Sequence, residues 1–387
     1  MPGTGAALNP EWSILLAACS VLPPREKCKR LLTLLQQPVR WQALCALAEQ
    51  HGTQPLLHQS LTEVADVVPG DELLSLNQRY EQNLHKALLL SRELIRIVDY
   101  LSGRGIEVVA YKGPAVAEVL YGDIALRQSG DIDLLIHSAD LPRIRDAVRD
   151  LGYTPHQLLS GPEERAYLQS GYECAFDGTA GRNLLELQWA ILPRFYAIDF
   201  DMRGVFDRAV NLSVAGRPMR TPSAADLLLI LSAHAAKHVW GRLIWLCDIA
   251  RLMQLPGLDW IWIQSQAKDL GIVRILRVTM LAANRLLGAA IPATASEFLS
   301  GDRSADAISK KVETFIVGPG SYDVESLAYF RLMMRLRERP ADQIRFLTRL
   351  AFTTGPGEWN AIRLPGPLFP LYRMVRLFRL AGKLVGA

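Results

Sequence analysis

The segment Asp131-Ile132-Asp133-Leu134-Leu135-Ile136 constrains this chain more than any other stretch. A short apolar run rich in Ile and Leu reads as a buried strand. Successive side chains on a strand alternate faces, so Asp131 and Asp133 project to one side while Ile132 and Leu134 enter a core. Two carboxylates held side by side repel unless a divalent cation shares them, most often Mg²⁺ with substrate phosphates. Upstream, Ile106 to Tyr111 reads as a second buried strand, and Gly113-Pro114 as a turn into a helix with proline at its first position. A glycine there lets backbone N–H groups approach phosphate, and Lys112 adds charge. A strand, a phosphate turn, a helix and a metal-binding strand, in that order, suit nucleotide handling.

Further along, Gly171 to Phe176 and Asn183 to Ala190 read as a hairpin joined by Asp177-Gly178-Thr179-Ala180-Gly181. Alternation in its second strand puts Glu186 and Gln188 on a polar face, with Leu185, Leu187 and Trp189 opposite, so Glu186 is available to a metal. A short strand pair is expected around Val210 to Met219. The rest reads as helical. Trp41 to Gly52 and Asp71 to Leu101 carry apolar residues at spacings of three and four, with Asp71 and Glu72 in a first turn and Gly103 beyond the last. Ser223-Ala224-Ala225-Asp226 opens helices over Leu227 to Leu255, Asp259 to Leu270 and Val273 to Leu287. Gly318-Pro319-Gly320 and Gly355-Pro356-Gly357 break the later segments. The expected class is α+β: a mixed sheet with helices over 105–211, between helical regions at 1–104 and 212–387.

Half of the 387 residues are hydrophobic (50%), which fits a fully globular chain. A net charge of +4 is too small to imply nucleic acid by itself. From Arg331 onward, however, ten arginines and one lysine face three acidic residues, roughly +8. Within the final helix, Arg373, Arg376, Arg379 and Lys383 share one face, expected to be solvated or to meet an anionic partner, while the helix docks through its other side. Five scattered cysteines form no C-x-x-C pair or zinc spacing, which suits a reducing cytoplasm. The apolar stretch from Trp12 to Pro24 has no positive leader before it. No uncharged apolar run approaches the ~18 residues of a membrane span. A cytoplasmic protein is expected.

His234 and His238 stand four apart, with Lys237 between them, but no third ligand completes a zinc motif. Trp240 and Trp245 read as core.

Lys112-Gly113-Pro114-Ala115, Arg127 and Asp131 to Leu135 together resemble a bacterial family of uncharacterised nucleotidyltransferases in the DNA-polymerase-β superfamily. The likeness continues through Leu185-Glu186-Leu187-Gln188-Trp189, the run from His234 to Asp248, and Leu364-Pro365 with Leu371-Tyr372-Arg373. Gln188 stands where that family has a histidine, and Lys112-Gly113-Pro114 replaces the wider superfamily's Gly-Ser turn, so no serine hydroxyl donates to phosphate there. The resemblance implies a polymerase-β-like fold and nucleotidyl transfer from a nucleoside triphosphate to a hydroxyl on a small molecule, a protein or an RNA, with pyrophosphate released. It implies two Mg²⁺ (or Mn²⁺) ions about 3.5–4 Å apart, held by Asp131, Asp133 and Glu186. The nucleotide would meet Lys112, Gly113, Arg127, Lys237, His238 and Arg242, with Asp248 orienting one of the later cations. Two alternatives stay open: a nucleotide-binding regulatory protein without turnover, and a D-x-D sugar-nucleotide glycosyltransferase. In the latter the apolar strand normally precedes the acidic pair rather than following it.

Overall fold

The computed structural model describes residues 9–157, 161–181, 183–318 and 326–385. Its central sheet follows from the alternation at Asp131. The strands are β1 (Val108–Ala110), β2 (Asp131–Ile136), β3 (Thr154–Pro155), β4 (Glu173–Asp177) and β5 (Leu184–Gln188), in spatial order β1-β2-β5-β4-β3. β2 runs parallel to β5, and the other neighbours are antiparallel, so the sheet is mixed. The fold is thus the α+β class expected. A separate hairpin pairs β6 (Val210–Val214) with β7 (Arg217–Thr221).

One face of the sheet buries Ile132, Leu134, Leu185 and Leu187 against Leu90, Leu94 and Ile97 of the Gly70–Ser102 helix and Ile144 and Val148 of the Leu141–Asp150 helix. Leu134 and Leu187 are fully buried, each contributing about 1.5–3 kcal/mol by transfer from water. On the opposite face Val109, Tyr111 and Leu135 join a larger core that unites the N-terminal helices with those spanning Ala224 to Leu287. Alternation therefore aims the polar residues of β2 and β5 at that helical layer.

The turn that follows β1 is tight. Gly113 has φ +55°, and a Cβ there would sit 3.1 Å from the Asp131 carbonyl oxygen, so only glycine fits without strain. Helix Gly113–Tyr121 follows, with proline in its first turn.

The stretch from Leu227 to Leu255 differs from expectation. It forms two helices, Ala224–Lys237 and Leu243–Leu252, not one. Val239 and Trp240 adopt left-handed backbone, φ 53° and 52°, each costing about 1–2 kcal/mol. Complete burial of Trp240, whose Nε1 donates to Thr279 Oγ1 at 2.9 Å, offsets that strain. The second helix starts against His51, whose Nδ1 accepts from the Leu243 N–H at 3.2 Å.

The final helix, Tyr372–Val385, also departs from expectation. Arg373 is exposed as expected, but Arg376 turns inward and Arg379, its side chain still 39% exposed, reaches the same partner, Glu358, which is 2% exposed. An isolated buried carboxylate would be costly, so it draws both guanidinium groups in. Met374 and Phe378 point outward instead. The Lys383 side chain, and Pro319 and Gly320 of the expected break, lie outside the described residues.

Candidate active site

Parallel pairing of β2 with β5 sets Asp133 opposite Glu186, and the two-residue strand period puts Asp131 on the same face. Ligand atoms of Asp131, Asp133 and Glu186 lie within 4.8 Å of one another. Asp133 is 2% exposed; its Oδ1 accepts from Lys112 Nζ at 3.0 Å and from Gln188 Nε2 at 3.1 Å. Its Oδ2 is buried with no hydrogen-bond donor. An orphaned carboxylate oxygen is expensive in a protein interior. Three carboxylates this close, one of them with such an oxygen, form a hard donor set that fits Mg²⁺ or Mn²⁺.

Gln188 Nε2 also donates to Glu186 Oε2 at 3.0 Å, and the Tyr111 hydroxyl donates to Gln188 Oε1. Gln188 thus ties Asp133 to Glu186. Burial pushes the carboxyls of Asp131, Asp133 and Glu186 above the usual range. Repulsion from Asp133 adds to this at Asp131, whereas Lys112 opposes it at Asp133. Burial works against the Lys112 ammonium, but Asp133 and its other neighbours outweigh that and hold its pKa above the normal lysine value.

Asp131 and Glu186 open into a cavity of about 380 Å³, which Lys112, Arg127, Lys237, His238 and Arg242 also line. Gly113, buried at the start of the Gly113–Tyr121 helix, is not among the lining residues. Arg127 is 7% exposed, and its guanidinium grips Asp248 through Nε and Nη2 at 3.0–3.1 Å, while Tyr121 donates to Asp248 Oδ1 at 2.8 Å. Asp248 therefore orients a cation, but that cation is Arg127 rather than Lys237, His238 or Arg242. The remaining Arg127 nitrogen, Nη1, bonds Ser129 Oγ at 3.2 Å on the cavity wall.

Opposite the trio, Lys237 Nζ donates to the Tyr172 hydroxyl at 2.8 Å, and that hydroxyl donates to Glu173. Glu173 faces Gln188 across the β4–β5 pair and lines the cavity, adding a fourth carboxyl whose pKa burial raises. Burial lowers the Lys237 pKa. His234, His238 and Trp245 form an aromatic wall, with ring centroids 4.8–5.3 Å apart. Burial drives the His238 pKa down to about 3 and that of His234 well below its usual value, so both rings are neutral at pH 7.

Sequence reasoning overlooked Tyr172 and Glu173. For Glu173 the signal was present, because a hairpin with Glu186 on its polar face must place alternate residues of the partner strand beside it, whereas Tyr172 precedes that strand and strand alternation does not point to it. It also assigned Trp245 to the core, whereas the ring is half-buried and lines the cavity. Trp240 is core, as expected.

A family model described as "Uncharacterised nucleotidyltransferase" matches residues 37–288, well over half of the chain. No curated protein matches. Among solved structures, the chain is similar to antibiotic-resistance factor ANT(2'')-Ia at 17% identity, over 51% of this chain and 92% of that one, with a TM-score of 0.28. It is also similar to an antigenic nucleotidyltransferase-like protein from Paracoccidioides brasiliensis at 16% identity, over 54% and 95%, with a TM-score of 0.32.

Proposed function

The chain belongs to the family of uncharacterised nucleotidyltransferases, and from that premise we propose that it transfers a nucleoside monophosphate from a nucleoside triphosphate to a hydroxyl acceptor in a metal-dependent reaction. The observation that carries this reading is the convergence of Asp131 and Glu186 on Asp133, one of whose buried carboxylate oxygens lacks a donor. A divalent cation held by these three carboxylates would supply Lewis-acid polarisation of the phosphoryl oxygens and neutralise developing charge.

The chain's own groups divide the remaining work. Lys237 and Arg242 line the cavity beyond the trio and meet the triphosphate oxygens with charge-assisted hydrogen bonds. Arg127, pre-oriented by Asp248, presents its Nη1 edge to the same cavity. Lys112 and Gln188 hold Asp133, so the carboxylate stays in place as the substrate arrives. Glu186, made more basic by burial, takes the acceptor's hydroxyl proton. The acceptor oxygen then bonds to the α-phosphorus as the bond to the bridging oxygen breaks, and pyrophosphate leaves.

The test is incubation of the full chain with each α-labelled nucleoside triphosphate, Mg²⁺ or Mn²⁺ and a cell extract. The expected result is metal-dependent appearance of label on an extract component, with stoichiometric pyrophosphate. Label that never leaves the triphosphate pool under any metal would overturn the proposal.

A further inference from the structure

Two adjoining helices near the end of the chain are turned the wrong way out for a surface in water. Pro340–Phe352 and Tyr372–Val385 lie against each other, with Arg376 Nε donating to the Leu350 carbonyl at 2.5 Å. On the first, Ile344, Leu347 and Phe352 are 64%, 49% and 50% exposed; on the second, Met374, Leu377 and Phe378 are 54%, 42% and 72% exposed. Ile344 and Leu347 stand three apart, and Met374 stands three and four before Leu377 and Phe378, so each group shares one face of its helix, with Phe352 at the end of the first. On the final helix Arg376 and Arg379 reach toward buried Glu358, while Arg373 stays exposed beside the apolar stripe.

Nine of the sixteen large apolar side chains exposed among the described residues fall at or beyond Ile344. Scattered exposed apolar residues are ordinary, but stripes on neighbouring helices mark an interaction surface. Exposed Arg363 and Arg373 belong to the same segment, which carries roughly +8 from Arg331 onward. A second copy of this chain would bring two such cationic segments together. An anionic bilayer instead offers opposite charge to the arginines and hydrocarbon to the stripes.

We propose that this two-helix face binds the surface of a membrane rich in anionic lipid, lying in the interface plane. No described helix is long and apolar enough to cross a membrane, so the association is peripheral. The surface does not depend on the transfer reaction, because none of its apolar residues lines the catalytic cavity.

The test is co-sedimentation of the full chain with vesicles of phosphatidylcholine alone or mixed with phosphatidylglycerol, beside a Met374→Glu/Phe378→Glu variant. At about 0.1 M salt the wild type should bind the anionic vesicles at least about tenfold better than the neutral ones. The variant should lose at least about tenfold of that binding. Its melting temperature should be unchanged, since both side chains already face solvent. Equal binding to both vesicle types, or undiminished binding by the variant, would overturn the proposal. So would light scattering that shows a wild-type dimer abolished by the same substitutions, since the occupant would then be a second copy.

Discussion

Replacing Asp248 by Asn would reveal whether Arg127 is a strut, a phosphate ligand or both. The two side chains are 8% and 1% exposed and lie 3.0 Å apart. Removing one member of a buried ion pair leaves the other charge uncompensated, a cost of about 3–5 kcal/mol. Tyr121 would also lose its carboxylate acceptor, adding about 1 kcal/mol. The expected loss is therefore about 4–6 kcal/mol, read by urea unfolding of the metal-free protein. A double replacement, Arg127→Met with Asp248→Leu, removes both charges and should recover most of that stability. If Arg127 also touches phosphate, the double variant should still bind nucleoside triphosphate at least about tenfold more weakly, since one charge-assisted bond contributes about 1.5–3 kcal/mol. A loss below about 1 kcal/mol in Asp248→Asn, within the range of a surface pair, would refute the buried-pair reasoning. Wild-type affinity in a stable double variant would reduce Arg127 to a strut.

Other substitutions separate the remaining contributions. Gly113→Ala should cost about 1–2 kcal/mol from its left-handed backbone and slow turnover, because the new Cβ presses on the Asp131 carbonyl 3.1 Å away; unchanged stability would remove that glycine's assigned role. In metal-free buffer Asp133→Asn should destabilise by about 3 kcal/mol, because it strips Lys112 of its buried partner. Asp131→Asn should be neutral or stabilising, since it relieves repulsion from Asp133; equal losses in the two would contradict the geometry. Burial holds the His51 pKa at about 4 instead of 6.5. Below pH 6.5 the unfolded chain takes the proton first, so this residue's contribution declines as pH falls toward 4, by about 3 kcal/mol in all. His51→Asn should flatten that part of the pH–stability curve, whereas an unaltered curve would show that His51 is not held neutral.

What the sequence discloses and what it hides divide along physical lines. The identity of β2, the shared face of Asp131 and Asp133, and the glycine turn at 113 are local consequences of strand period and backbone sterics. They were legible for that reason. The Arg127–Asp248 pair joins residues 121 apart in the chain, and Lys237 meets Tyr172 across 65. Periodicity carries no information about such partners. The break after Lys237 was hidden differently: Val239 and Trp240 have no turn propensity, and only burial of the indole against Thr279 makes their left-handed backbone tolerable. In the final helix the cationic stripe was visible, but its direction was decided by a buried carboxylate on another helix. Amphipathic pattern alone placed Arg376 outward with Arg373, and could not show that Arg376 and Arg379 reach a buried carboxylate.

The proposed function requires that Asp131 and Glu186, with Asp133, hold the reacting centre. It is tested most directly by pyrophosphate release in the wild type and in Asp131→Asn and Glu186→Gln, two variants that leave the Lys112–Asp133 pair intact. Each removes one negative charge while keeping shape. Loss of a metal-holding carboxylate should cost at least about 100-fold in rate, with melting temperatures equal to or above that of the wild type. Rapid metal-dependent release by the wild type alone is the predicted result. Wild-type turnover in either folded variant would contradict the account.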